Sequence, residues 1–155
     1  MDLMAIRRGL MMQQGGGFNY LDPKTWFVAY SGGCVRSPEI SVGGTPSTIE
    51  RVGNAVVLDR SNAERGLDFL IGQLKAGETY ILSGTFTNTG GKIYLCSTSN
   101  MAQDGNSFDY AVVSTISIVN NSVTLNPQQT GIYNILLWNN GSNDISAENV
   151  TLTAN

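Results

Sequence analysis

The chain has 155 residues, 41% of them hydrophobic and only 14% charged. That length suits one well-cored domain, and the low charge excludes both a self-repelling disordered polymer and a helix-rich protein clad in Lys and Glu. The net charge is −3 and the one basic cluster is Arg7-Arg8, so neither nucleic acid nor an anionic membrane surface is expected as a partner.

In chain order, Met1 to Gly17 comes first. Leu3, Ile6 and Leu10 fall at helical spacing with Met4, Met11 and Met12 beside them, and Asp2 suits the start of a helix. Gly15-Gly16-Gly17 closes the segment as a hinge. So short a helix is marginal alone and needs another surface for its apolar side. The segment therefore reads as a docking arm, with Leu3, Ile6, Leu10 and Met11 as its contacts. The apolar run Gly9 to Met12 is too short for a secretory signal, and no stretch approaches the ~20 apolar residues of a membrane span. The protein is accordingly expected to be made in the cytoplasm without a signal peptide.

The second zone, Phe18 to Arg65, opens with a strand at Trp26 to Tyr30, broken by Ser31-Gly32-Gly33. Glu39 to Val42 and Ala55 to Leu58 are further strand candidates, separated by a loop at Gly43 to Ser47. Ser61 to Gly66 reads as a helical turn or loop. From Leu67 onward, strands follow one another. Leu67 to Leu74 comes first, then a turn at Lys75 to Glu78 and a long strand at Thr79 to Thr87. The hairpin-type turn Asn88-Thr89-Gly90-Gly91 predicts that Lys92 to Ser97 pairs with that strand. A polar loop is expected over Thr98 to Ser107. Strands at Phe108 to Ile118, Ser122 to Leu125, Ile132 to Trp138 and Ala147 to Thr153 complete the chain, divided by turns at Asn120-Asn121, Asn126 to Gly131 and Asn139 to Asp144.

Short strands with turn signals about every ten residues predict an all-β sandwich or barrel. The expected organisation is an arm and hinge over 1–17 and a β-sandwich over 18–155, with its core at about 67–155. Alternation assigns faces: Tyr133, Ile135 and Leu137 oppose Asn134, Leu136 and Trp138, and Ile93 and Leu95 oppose Tyr94 and Cys96. The aliphatic side is the expected core.

Chemistry is narrowed by what is missing. The chain has no His, so Ser-His-Asp and Cys-His systems and His-ligated zinc are excluded. Cys34 and Cys96 are read as buried reduced thiols. No Walker pattern is present, and no cofactor or metal is expected. Asp109, between Phe108 and Tyr110, is the one acid noted in an aromatic setting, and it has no identifiable carboxylate partner for a hydrolase. Asp104-Gly105-Asn106 and Asn143-Asp144 read as turns rather than calcium ligands. No catalysis is expected. Sugars present C–H faces that stack on aromatic rings, and amides bind their hydroxyls; Trp138, Tyr94 and Tyr110 with Asn134 form the candidate platform.

Leu74 to Gly84, Gly131 to Trp138 and Ala147 to Thr153 resemble the jelly-roll β-sandwich of carbohydrate-binding modules over roughly the last 80 residues. Met4 to Met11 resembles the opening of small structural proteins encoded in phage tail modules. Together the two resemblances imply a virion accessory protein of tail, baseplate or capsid, a homo-oligomer docked by its arm to other virion proteins. A free carbohydrate-binding module, with a cell-surface glycan as partner, is the alternative.

Overall fold

The computed structural model describes residues 18–36, 47–60 and 64–155. The expected arm over 1–17 and the expected strand at Glu39 to Val42 lie outside them. Eleven strands are present among the described residues: β1 (Trp26–Tyr30), β2 (Gly33–Val35), β3 (Thr48–Val52), β4 (Ala55–Asp59), β5 (Gly66–Leu74), β6 (Tyr80–Thr87), β7 (Lys92–Met101), β8 (Ser107–Ser117), β9 (Ser122–Leu125), β10 (Gly131–Leu137) and β11 (Ile145–Ala154). A single 3-10 turn, Pro23–Thr25, precedes β1; Asp22 caps it by accepting a hydrogen bond from the Lys24 amide.

The strands form two antiparallel sheets. One has the order β3-β4-β11-β6-β9. The other runs β1-β2-β8-β7-β10-β5 and curls until β5 pairs with β1, closing a ring. From β5 to β7 and again from β8 to β11 the chain crosses from sheet to sheet, and this makes the fold a jelly-roll-like β-sandwich. Asn88 to Gly91 does not close a hairpin: β6 pairs with β9 and β11, whereas β7 pairs with β8 and β10. Positive φ at Asn88 (60°), Gly90 (71°) and Gly91 (77°) turns the chain sharply, and the turn carries it across the sandwich instead. The expected loop at Thr98 shrinks, because β7 continues to Met101 with a register shift between Thr98 and Asn100. β2 and β3 were not expected: one is short and glycine-led, the other (Thr-Ile-Glu-Arg-Val) is largely exposed and carries little apolar alternation.

Alternation along the closed sheet builds two cores. Its outer face (Val28, Leu67, Phe69, Ile71, Ile93, Leu95, Tyr133, Ile135, Leu137) packs on Val56, Leu58, Leu82, Val123, Leu125, Ala147, Val150 and Leu152 of the other sheet. Its inner face holds a second cluster, Phe27, Ala29, Cys34, Cys96, Phe108 and Leu136, with Leu70, Tyr94, Tyr110 and Trp138 partly buried against it. Each fully buried Leu, Ile or Phe contributes roughly 1.5–3 kcal/mol. β1 and β2 are therefore integral to the fold, because without them the inner face would lie open.

Candidate functional site

Among the described residues, the inner face of the closed sheet is filled at one end and left uncovered at the other. At the sealed end Phe27 and Phe108 meet edge to face at 4.7 Å. The Arg36 guanidinium lies 4.6 Å from the Phe27 centroid and donates to Gly105 O (2.6 Å), Pro23 O (3.1 Å) and Asn106 Oδ1 (3.2 Å). Burial lowers the pKa of Arg36, while Asp22 and Asp104 oppose that shift.

At the open end the β1–β2 hairpin stops at Tyr30–Gly33, but β7, β8 and β10 run on. Among the described residues no strand covers the wall above the hairpin, and three aromatic rings from three elements line it. Tyr94 of β7 pairs with Leu136 on one side and exposed Thr115 on the other. Lys92 sets its ammonium 5.6 Å from the Tyr94 ring centroid. Tyr110 of β8 donates its hydroxyl to Tyr30 O at 3.0 Å, tying the hairpin to the wall. Burial, followed by the neighbouring Cys34, Cys96 and Asp68, raises the Tyr110 pKa, so it stays a neutral hydroxyl. Trp138 extends the β10 alternation by one residue and joins the same cluster. All three rings are half-buried.

Trp138 is positioned from below and behind. Gly66 passes directly beneath it: a Cβ there would lie 2.8 Å from Trp138 Cε3 and 2.8 Å from Leu136 Cδ1. Behind it, Arg60 is 1% exposed and donates to Arg65 O, Asn139 O, Asn139 Oδ1 and Gly141 O. One buried guanidinium thus holds the loop that follows Trp138 by its carbonyls. Asp144 Oδ1 accepts from the Arg60 amide and Asp144 O accepts from Asn88 Nδ2, fastening the loop's far end.

The floor is polar and buried. Asp68 lies between Phe27 and Leu136 in the pairing of β5 with its neighbours, with no exposed surface. Asn134, also fully buried, donates through Nδ2 to Asp68 Oδ2. Asp68 Oδ1 and Asn134 Oδ1 are left without a partner among the described residues. Burial drives the Asp68 pKa well above the usual carboxylate range; hydrogen bonds from Asn134 and the Cys34 thiol oppose the shift without cancelling it. The account consistent with two bare acceptor oxygens is a protonated Asp68, which supplies the missing donor. Cys34 and Cys96 are buried and free, and burial raises both thiols, with Asp68 raising them further.

Of the residues singled out in the sequence, Tyr94, Tyr110, Trp138 and Asn134 all lie on one face, as the alternation places them. The rings are at the mouth; Asn134 is beneath them, occupied by Asp68 and out of contact with solvent. Asp109 points to solvent on the opposite face. Asp104 Oδ1 accepts from the Asn106 amide at 2.9 Å, a local turn. Among the described residues no group of three acidic or thiol side chains is placed to hold a metal ion. Leu3, Ile6, Leu10 and Met11 lie outside the described residues. Asp68, Gly66 and Arg60 were not read from the sequence as site residues. For Asp68 the signal was present: a lone acid inside the apolar run Gly-Leu-Asp-Phe-Leu-Ile.

No protein family and no curated protein matches the chain. Several solved structures are similar to it. A Clostridium thermocellum endo-1,4-β-D-xylanase, comprising CBM22-1 and GH10 modules complexed with xylohexaose, matches at 15% identity and a TM-score of 0.44, over 87% of this chain and 27% of that one. The xylan-binding module CBM15 matches at 12% identity and a TM-score of 0.44, over 84% and 90% of the two chains. The enzymatically active domain of tailspike protein 4 of bacteriophage CBA120 matches at 13% identity and a TM-score of 0.40, over 92% and 21%. At such distances the functional reading rests on the chain's own residues.

Proposed function

We propose that the chain is a non-enzymatic carbohydrate-binding module that takes a neutral glycan into the open mouth of its closed sheet. The observation that carries this reading is that Tyr94, Tyr110 and Trp138 lie half-buried on one face that the described residues leave uncovered, with Tyr110 tied to Tyr30 O and Trp138 backed by Gly66. Half-buried rings are fixed in place yet offer a face, which is what stacking against a sugar ring requires. The Tyr94 hydroxyl, the Thr115 side chain and Lys92 supply polar groups at the rim. The one carboxyl on this face, Asp68, is fully buried beside Leu136, and among the described residues no second acid is brought to it, which supports a binding rather than a hydrolytic role.

The test is calorimetric titration with soluble neutral polysaccharides, xylan among them, for wild type, Trp138→Ala and Asp109→Ala. Binding in wild type and Asp109→Ala, weakened about tenfold or more in Trp138→Ala, supports the reading. Equal affinity in all three proteins removes the mouth as the site. Placement on a virion by the arm rests wholly on residues 1–17, and the mouth geometry is independent of it.

A further inference from the structure

The two sheets expose three kinds of edge, and they differ in how they are protected. β3 edges the second sheet and carries Glu50 and Arg51 in its five residues. β9, at the opposite edge, is four residues long. Charge and shortness both deter pairing with a foreign strand. The third edge is the upper half of β8. β2 covers only Ser107 to Asp109, and the last backbone bond to the hairpin runs from the Tyr110 amide to Gly32 O. Beyond it, Ala111 to Ser117 pairs with β7 on one side and with nothing among the described residues on the other.

This open stretch reads Ala-Val-Val-Ser-Thr-Ile-Ser: no charge, no proline, and mostly β-branched. It is also where exposed apolar surface gathers. Val112 is 49% and Val113 51% exposed, and Val119, just past the strand, is 64% exposed. The one protective device is the bulge opposite Leu95–Cys96, which places Val113 as the extra residue.

From this edge we infer that the chain forms a two-fold dimer in which β8 pairs antiparallel with β8 of a second copy. An antiparallel edge is its own complement under a two-fold axis, and a neutral strand meets its copy without like-charge repulsion. A charged partner would find no counterpart here. The pairing would join the two closed sheets through β7-β8-β8-β7 with both inner faces on the same side. The two Tyr94 rings would then stand about 15 Å apart, three interstrand spacings, on one continuous surface. For a polymeric ligand such an arrangement adds avidity without any new contact.

Sedimentation velocity of the full chain, over a wide concentration range, tests this. Wild type should sediment at twice the chain mass, and Val113→Lys and Thr115→Lys, each at an exposed position, should shift it to the monomer with an unchanged thermal melt. Val52→Lys, at the charged β3 edge, should remain dimeric. Should either β8 variant unfold, the other carries the test, and hydrogen exchange of the wild type should show the amides of Ala111 to Ser117 that point away from β7 protected at high concentration and open at low, while those facing β7 stay protected at both. A monomeric wild type, or folded β8 variants as dimeric as wild type, overturns the inference.

Discussion

Asp68→Asn isolates the physics of the site floor in one atom. Burial with only partial hydrogen bonding holds the Asp68 carboxyl well above the ordinary range in the folded chain, while in the unfolded chain it titrates near about 4. The folded state therefore keeps a proton that the unfolded state has lost. Stability from this group is fully present below the unfolded pKa and is lost as pH rises toward the folded one. For a single proton the slope is about 1.4 kcal/mol per pH unit across that window. In the variant an amide replaces the acid at nearly the same volume. Its carbonyl can accept from Asn134 Nδ2, and its NH2 can donate to Asn134 Oδ1, which is bare in the wild type. Urea denaturation of both proteins from pH 3 to pH 8 is the assay. Near pH 3 the two should differ by less than about 1 kcal/mol, the spread of a typical hydrogen bond. Above that the wild type should lose stability relative to the variant with the one-proton slope, leaving Asp68→Asn the more stable at neutral pH. A variant less stable at neutral pH, with the same pH dependence as wild type, would refute the protonated-floor account.

Other outcomes follow from the same geometry. Phe27→Ala, in a side chain with no exposure that meets Phe108 and Arg36, should cost about 3–5 kcal/mol in denaturant unfolding, because it empties the sealed end of the ring. Gly66→Ala should fold but displace Trp138, seen as a shift in tryptophan emission together with weakened glycan binding. Cys34 and Cys96 should resist thiol reagents in the native state at mildly alkaline pH and react on unfolding, since burial denies them both access and thiolate.

The two-faced strands were legible because alternation is a local signal. The assignment of Tyr133, Ile135 and Leu137 to one side of β10 and its continuation, and Asn134, Leu136 and Trp138 to the other, needs only six consecutive residues. Sheet membership was not legible in the same way. Asn88-Thr89-Gly90-Gly91 has the chemistry of a hairpin turn, but turn chemistry fixes only the local reversal, and the apolar faces of β6 and β7 are both satisfied by the shared sandwich core. Ring closure was hidden too: β1 meets β5 through pairs such as Phe27 with Asp68, whose separation in sequence carries no local mark. The inner face looked like a candidate open surface because its strands carry Tyr, Asn and Cys; closure turns most of it into a second core, and among the described residues the mouth is the part left uncovered. Arg60 escaped notice because its partners are carbonyls from two separate segments, Arg65 and the Asn139 to Gly141 loop.

The most direct test of the central claim is tryptophan fluorescence during titration with a panel of soluble neutral polysaccharides, comparing wild type with Trp138→Phe and Trp26→Phe. Trp26 is buried at the other end of the closed sheet, with its Nε1 donating to Tyr20 O. The account predicts a saturable emission change for at least one glycan that persists in Trp26→Phe and disappears in Trp138→Phe. Calorimetric binding with no change in Trp138 emission, or no binding across the panel, contradicts it.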